Sequence, residues 1–359
     1  MARIRRPRPY VPVFLPFLFL LALLCSLPQA HAQAALLLEE PYGTFGSLNP
    51  TGHAALYLEH VRAETPIQLR PCHAGETGVV LSRYKDMAGY DWVAIPLLPY
   101  LYAVETPDEV PLMADSLTVA AMRSRYREQH LGDFGAQLRP GGFFHGGWEQ
   151  LVGAAYNRRI ILFRFPTTPQ QDSRLIAALN ARPNRSHFSL LFNNCADFDR
   201  FLLSNYFPGQ FPRSIFPDAG MTTPKYVTHR LVRTIRRPPG SQLQVFEIPQ
   251  VPGSRRSSHS AHGIAESLLK SGYVLPIVAL NPYLAGGLLA DYLARGRYPV
   301  VPTHPVILTP DTLTQLPSLA DTRDSTLTTP LQASDNRPES SNQQNAAADA
   351  SSSHLQQPN

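Results

Sequence analysis

The chain of 359 residues carries 32 basic against 27 acidic residues, and 43% of it is apolar, enough to build a sizeable core. Four of the basic residues, Arg3, Arg5, Arg6 and Arg8, fall in the first 32 positions, which hold no acid, so the remainder stands at 28 against 27. That balance lacks the basic footprint of a nucleic-acid binder, and three cysteines are too few for a disulfide-built scaffold.

Residues 1–32 have the layout of a cleavable export signal. The arginines lead into an apolar run from Val11 to Leu27, and Ala30-His31-Ala32 is a small-x-small exit that places the cut before Gln33. The run is short for a bilayer span, so a periplasmic or extracellular destination is preferred to N-terminal anchoring. Residues 33–50 read as a lead-in. His53–Val61 (HAALYLEHV) is the first strand candidate, with Ala55, Tyr57 and Glu59 facing opposite to Leu56 and Leu58. A turn over 63–66 leads to a second strand at 67–70. Further strands at 79–84 and 92–95 complete an antiparallel meander.

Asp115–Gln129 suits a helix with Leu117, Ala121 and Met122 on one side. Gly141-Gly142 and Gly146-Gly147 flank a loop. Arg159–Phe165 (RIILFRF) is a strand, Gln170–Asn180 a helix and Phe188–Phe192 a strand. Cys195–Tyr206 has helical spacing at Phe198, Phe201 and Leu202. Thr222 or Thr223 caps a helix over Pro224–Arg236, whose basic end complements its dipole. Gln242–Ile248 is the last strand. Residues 252–262 form a linker. The apolar stretch 273–293 is interrupted by Pro276, Asn281, Pro282 and Asp291 and suits a packed helix pair, leaving membrane contact there as the alternative. From Thr309 the composition is that of a disordered tail.

Two patterns carry chemistry. Gly52-His53 opens a strand, and Asn193-Asn194-Cys195 runs into a helix. A cysteine at a helix start faces the positive end of the dipole, which lowers its pKa. A histidine within reach would take its proton and hold the thiolate as an ion pair. Asn193, Asn194 or the local N–H groups would then stabilise an oxyanion. The remaining histidines show no metal-ligand spacing, and neither a phosphate loop nor a serine elbow is present, so no cofactor is implied.

Gly-His on a strand, followed much later by Asn-Cys at a helix start, resembles the circularly permuted papain-like proteins. These include the lecithin:retinol acyltransferase group, relatives of NlpC-type peptidases and bacterial periplasmic domains of unknown function. The resemblance covers roughly residues 43–250. It implies an α+β fold, an antiparallel sheet packed on helices, with Cys195 as nucleophile and His53 as general base. Ala196-Asp197 stands where the acyltransferases have Glu-His. The family's third polar residue lies on the strand after the histidine. A hairpin turning at 63–64 would bring His73 opposite His53, with Glu76 and Gln68 as competitors.

The implied organisation is a signal at 1–32, a papain-like domain at 43–250, a linker and helical extension at 251–308, and a tail at 309–359. The implied activity is that of an exported cysteine hydrolase or acyl transferase acting on an amide or ester, with an envelope peptide or lipid as substrate. The alternative is a non-catalytic envelope domain in which Cys72 and Cys195 form a structural disulfide.

Overall fold

The computed structural model describes residues 32–43, 50–85, 87, 89–132, 150–213, 218, 220–237, 242–253, 257–270, 278–296, 298–302 and 305–316. The predicted export segment up to position 31, the loop containing Gly141 and Gly147, and the predicted tail beyond position 316 lie outside them.

The fold is α+β, with a mainly antiparallel sheet packed between helices. Its central strand, β1 (Ala32–Glu39), starts at the last residue of the predicted export segment. Ala34 to Leu38 are buried without interruption. A strand covered on both faces has no reason to alternate apolar with polar residues. That is why 33–50 reads as a lead-in, a reading that β1 corrects.

On one side β1 pairs with β2 (His53–Leu58), placing Leu36 across from Leu56 and Glu39 across from His53. β2 pairs next with β5 (Val79–Ser82), and β5 with β6 (Val93–Pro96). On the other side lie β7 (Ile160–Thr167), β8 (Gln244–Ile248) and β9 (Val306–Ile307), the last running parallel to β8. The predicted strand 53–61 breaks at Glu59 and His60. β3 (Val61–Thr65) and β4 (Gln68–Pro71) then form a separate two-stranded ribbon. The expected meander therefore runs through β2, β5 and β6, and the neighbour of His53 is β5.

Side chains on a strand alternate between faces, and here the faces differ in chemistry. Leu36, Leu38, Ala54, Leu56 and Leu81 meet α3 (Pro169–Asn180), α4 (Cys195–Tyr206) and α5 (Pro224–Arg236) through Leu175, Phe198, Leu202, Val227 and Leu231. The other face presents Glu39, His53, Tyr57 and Ser82. There α1 (Leu97–Tyr102) brings Tyr100 to Glu39, and α2 (Ser116–His130) follows further along the chain.

Local capping explains where the helices start. Asn194 accepts from the Asp197 N–H and Asp197 accepts from the Asn194 N–H, a reciprocal box at the head of α4. Thr223 caps α5, with Pro224 in its first turn, while Thr222 binds Asp197 instead, at 2.7 Å.

Phe188–Phe192 is not a strand. Ser189 and Asn193 exchange both backbone hydrogen bonds, and the three residues between them make a tight tip. Apolar character alone read as a strand, yet Leu190, Leu191 and Phe192 face solvent. Within 273–293 the described helix is α7 (Pro282–Asp291), preceded by α6 (Ile264–Lys270). Among the described residues no helix is long and apolar enough to cross a membrane.

Candidate active site

Cys195 is the first residue of α4 and is buried. The preceding cap holds it from three sides. Besides binding the Asp197 N–H, Asn194 donates through Nδ2 to the carbonyls of Leu190 at 2.9 Å and Thr222 at 3.0 Å. The N–H groups of Ala54 and Ala196 point at the sulfur and favour a thiolate. Burial outweighs them. It pushes the Cys195 thiol up to about 12, with the field of Asp199 acting in the same direction. The helix-start expectation of a lowered pKa is thereby corrected: desolvation exceeds the stabilisation from the dipole and the two N–H groups.

His53 follows a glycine for a steric reason. Gly52 has φ +74°, and a Cβ there would lie 2.2 Å from the Glu39 carbonyl oxygen, so only glycine fits this approach of β2 to β1. The imidazole is buried, its Nε2 stands 3.0 Å from Ser82 Oγ, and its ring stacks on Tyr84 with centroids 4.0 Å apart. Ser82 is itself fully buried on β5. Beyond the ring, the Tyr84 and Tyr100 hydroxyls are 3.2 Å apart, and Tyr100 donates to Glu39. Arg158 Nη1 lies 3.2 Å from Glu39 Oε2. Burial, followed by the charge of Arg158, holds His53 well below its usual pKa. The ring is therefore a neutral base at physiological pH.

Cys195 and His53 meet the start of β2 from different directions. Ala54 lies on the α4 side of the sheet and directs its N–H to the sulfur. His53, one residue earlier, belongs by alternation to the Glu39 and Ser82 face. The structure joins His53 to Ser82 and makes no hydrogen bond between His53 and Cys195. The Ser82 contact uses Nε2 and leaves Nδ1 for another partner.

His73 is not brought to His53. It is 77% exposed and pairs with Glu76 at 3.5 Å. Glu76 in turn takes a two-pronged contact from Arg70, both arms at 2.6 Å, and Gln68 lies on β4 across from Thr65. The Cys72 N–H binds the His60 carbonyl. This places Cys72 and His73 near the far end of β2, roughly 20 Å from His53 at the rise of a strand. The expected hairpin opposite His53 does not form because the chain turns at Pro66, within its own ribbon.

The same spacing removes the disulfide alternative. Cys72 lies by the Glu59 carbonyl and Cys195 by Ala54, roughly 16 Å apart along the strand, whereas a disulfide needs Cα atoms within about 7 Å. Both cysteines are free.

Three buried polar residues escaped sequence reasoning. Ser82 ends the apolar run Val79–Ser82, where its hydroxyl was the only available signal. Arg83 binds Asp91 and the Asn193 side chain, each at 2.6 Å, and lies over the Phe198 ring at 4.7 Å. Asp199 stands one helical turn after Cys195 and is fully buried, and neither carboxyl oxygen has a hydrogen-bond partner. Burial raises its pKa well above the usual range, against the pull of Arg83. Its place at i+4 from the cysteine was the sequence clue. Among the described residues no cluster of three His, Cys, Asp or Glu could hold a metal ion.

No protein family and no curated protein matches this chain. Among solved structures, the chain is similar to that of the type VI secretion system effector TseH, with 13% identity over 60% of this chain and 97% of that one. The TM-score is 0.27, and so loose a superposition assigns neither fold nor activity.

Proposed function

We propose that this protein is an exported cysteine hydrolase or acyl transferase of permuted papain-like type, with Cys195 as nucleophile and His53 as general base. The observation that carries the reading is the convergence on the start of β2: the Cys195 sulfur faces the N–H of Ala54, and His53 is the residue before it. Ser82 takes the positioning role that the sequence left open among His73, Glu76 and Gln68, because it holds Nε2 and orients the ring.

The resting pair is neutral, so the dyad works by general-base catalysis rather than as a preformed ion pair. As sulfur attacks an ester or amide carbonyl, His53 Nδ1 takes the thiol proton. The carbonyl oxygen gathers charge against the N–H groups at the head of α4. Collapse breaks the bond to the alcohol or amine, which leaves with the proton from His53. Water or an acceptor alcohol then cleaves the thioester, with His53 again as base. The missing His53–Cys195 hydrogen bond forms on substrate binding, since catalytic contacts are often long in unliganded enzymes. The predicted export signal at 1–32 supports a reaction in the periplasm or outside the cell, with an envelope peptide or a lipid ester supplying the carbonyl.

The test uses p-nitrophenyl acetate with the full chain and its variants. An acetyl adduct at Cys195 is expected by peptide mapping, absent in Cys195→Ala and formed at least about 100-fold more slowly in His53→Ala. An adduct that forms equally fast without His53 sinks the dyad. The absence of any adduct at Cys195 sinks the enzyme. A second reading, a non-catalytic envelope domain, draws on one observation: the imidazole is already engaged by Ser82 and Tyr84. It predicts that His53→Ala lowers stability and that no acyl adduct forms in any variant.

A further inference from the structure

The tip that precedes the nucleophile has an unusual surface. Leu190, Leu191 and Phe192 are 52%, 48% and 58% exposed, three neighbours in sequence on one short turn. Such a run in water needs a reason. It is not a loose loop, because its backbone is tied at almost every residue. Ser189 and Asn193 exchange both main-chain hydrogen bonds. The Leu190 carbonyl accepts from Asn194 and the Phe192 carbonyl from Arg213. The Asn193 side chain is itself gripped by Arg83, Ser186 and the His187 carbonyl. The apolar side chains are therefore presented on a rigid support.

The exposed charge contributed by the tip's own segment has one sign, while the Arg213 guanidinium beside it also pairs with the buried Asp197 at 3.2 Å. No Asp or Glu occurs from Ser173 to Ala196. Arg182 and Arg185 are exposed in the approach to the tip, and the Arg213 guanidinium lies over the Phe192 ring at 5.6 Å. An apolar point carried on a basic segment matches a bilayer surface with anionic headgroups: the side chains enter the acyl boundary and the guanidinium groups meet phosphates. A protein partner would equally cover the apolar residues, but the acid-free segment with its exposed Arg182 and Arg185 favours a surface that is negative throughout.

We propose that the Leu190–Phe192 tip, with Arg182, Arg185 and Arg213, is a docking surface for an anionic phospholipid membrane. Cys195 lies three residues beyond Phe192, so docking brings the start of α4 towards the bilayer. The surface is argued independently of catalysis and survives if Cys195 proves inert.

The test is co-sedimentation of the full chain with phosphatidylcholine vesicles, with and without phosphatidylglycerol. Binding is expected only with phosphatidylglycerol and should weaken as salt is raised. The variant L190S/L191S/F192S should lose at least about ten-fold in partitioning. Arg182→Glu and Arg185→Glu should each lose about five-fold or more, and Cys195→Ala should bind like the parent. These substitutions are at exposed positions, and unchanged circular dichroism confirms that the fold is kept. No binding by the parent overturns the proposal. So does binding that is equal on neutral vesicles or unaffected by the tip variant, the latter locating the contact in another segment such as Val11–Leu27. Self-association through the tip without vesicle binding also overturns it.

Discussion

Glu39 stands directly across the β1–β2 ladder from His53, and together they link the candidate base to a buried ionic network. Through Glu39 the imidazole shares its surroundings with Tyr100 and Arg158. The surroundings of the candidate base thus depend on how this end of the sheet is held.

Arg158 and Glu39 are both buried, and removing one partner of such a pair strands the other charge. Arg158→Met is expected to destabilise the fold by about 3–5 kcal/mol in urea titration. It should also raise the His53 pKa, because the charge of Arg158 helps hold it down, and imidazole NMR would report the change. An unmoved His53 pKa would show that burial alone sets it.

His53 should also shape stability against pH. Its folded pKa lies below the unfolded value, so the unfolded chain binds the extra proton as pH falls through about 6.5. Stability is expected to decline on acidification below that point, and the limb should shrink in His53→Gln, leaving the part that His229 and His262 contribute with the same sign. Thermal denaturation at a series of pH values checks it.

Asp199 works with the opposite sign. Its folded pKa is raised, so its contribution is full below the unfolded value near 3.8 and is lost as pH rises. Asp199→Asn should gain on the parent steadily from about pH 4 towards neutrality. Parallel curves for the two proteins across that range would contradict a buried, unpartnered carboxyl.

Ser82→Ala removes the group that holds Nε2. A stability loss of about 1 kcal/mol is expected, with a fall of roughly 100-fold in acyl transfer to Cys195 from a loosened imidazole. Ser82→Thr should restore most of the rate. A purely structural serine would lose stability without moving the rate.

The Cys195 thiol is pushed to about 12 and the Cys72 thiol to about 11, both first by burial. Iodoacetamide alkylation of Cys195 should therefore rise continuously with pH through the neutral and alkaline range. A plateau reached below about pH 7, the mark of a preformed thiolate, would contradict the neutral resting pair.

Much of the scaffold was legible along the chain. Asn194 and Thr223 cap α4 and α5 where local side-chain chemistry placed those starts, and the run Arg159–Phe165 lies largely in β7. Such features depend on contacts within a few residues. β1 was missed because burial on both faces erases alternation. The 188–192 turn reads as a strand in sequence because exposed and buried leucines look alike there.

The residues themselves determined that a cysteine begins a helix and that a glycine-supported histidine begins a strand, since caps and close approaches are written locally. Tertiary structure decided what those two groups meet. It put Ser82 rather than His73 at the imidazole, set Cys72 far from Cys195, and left His53 and Cys195 neutral at the start of one strand. Those outcomes follow from which distant strands pair and how deeply they are buried. Pairing and desolvation are sums over the whole fold, and no short segment carries them.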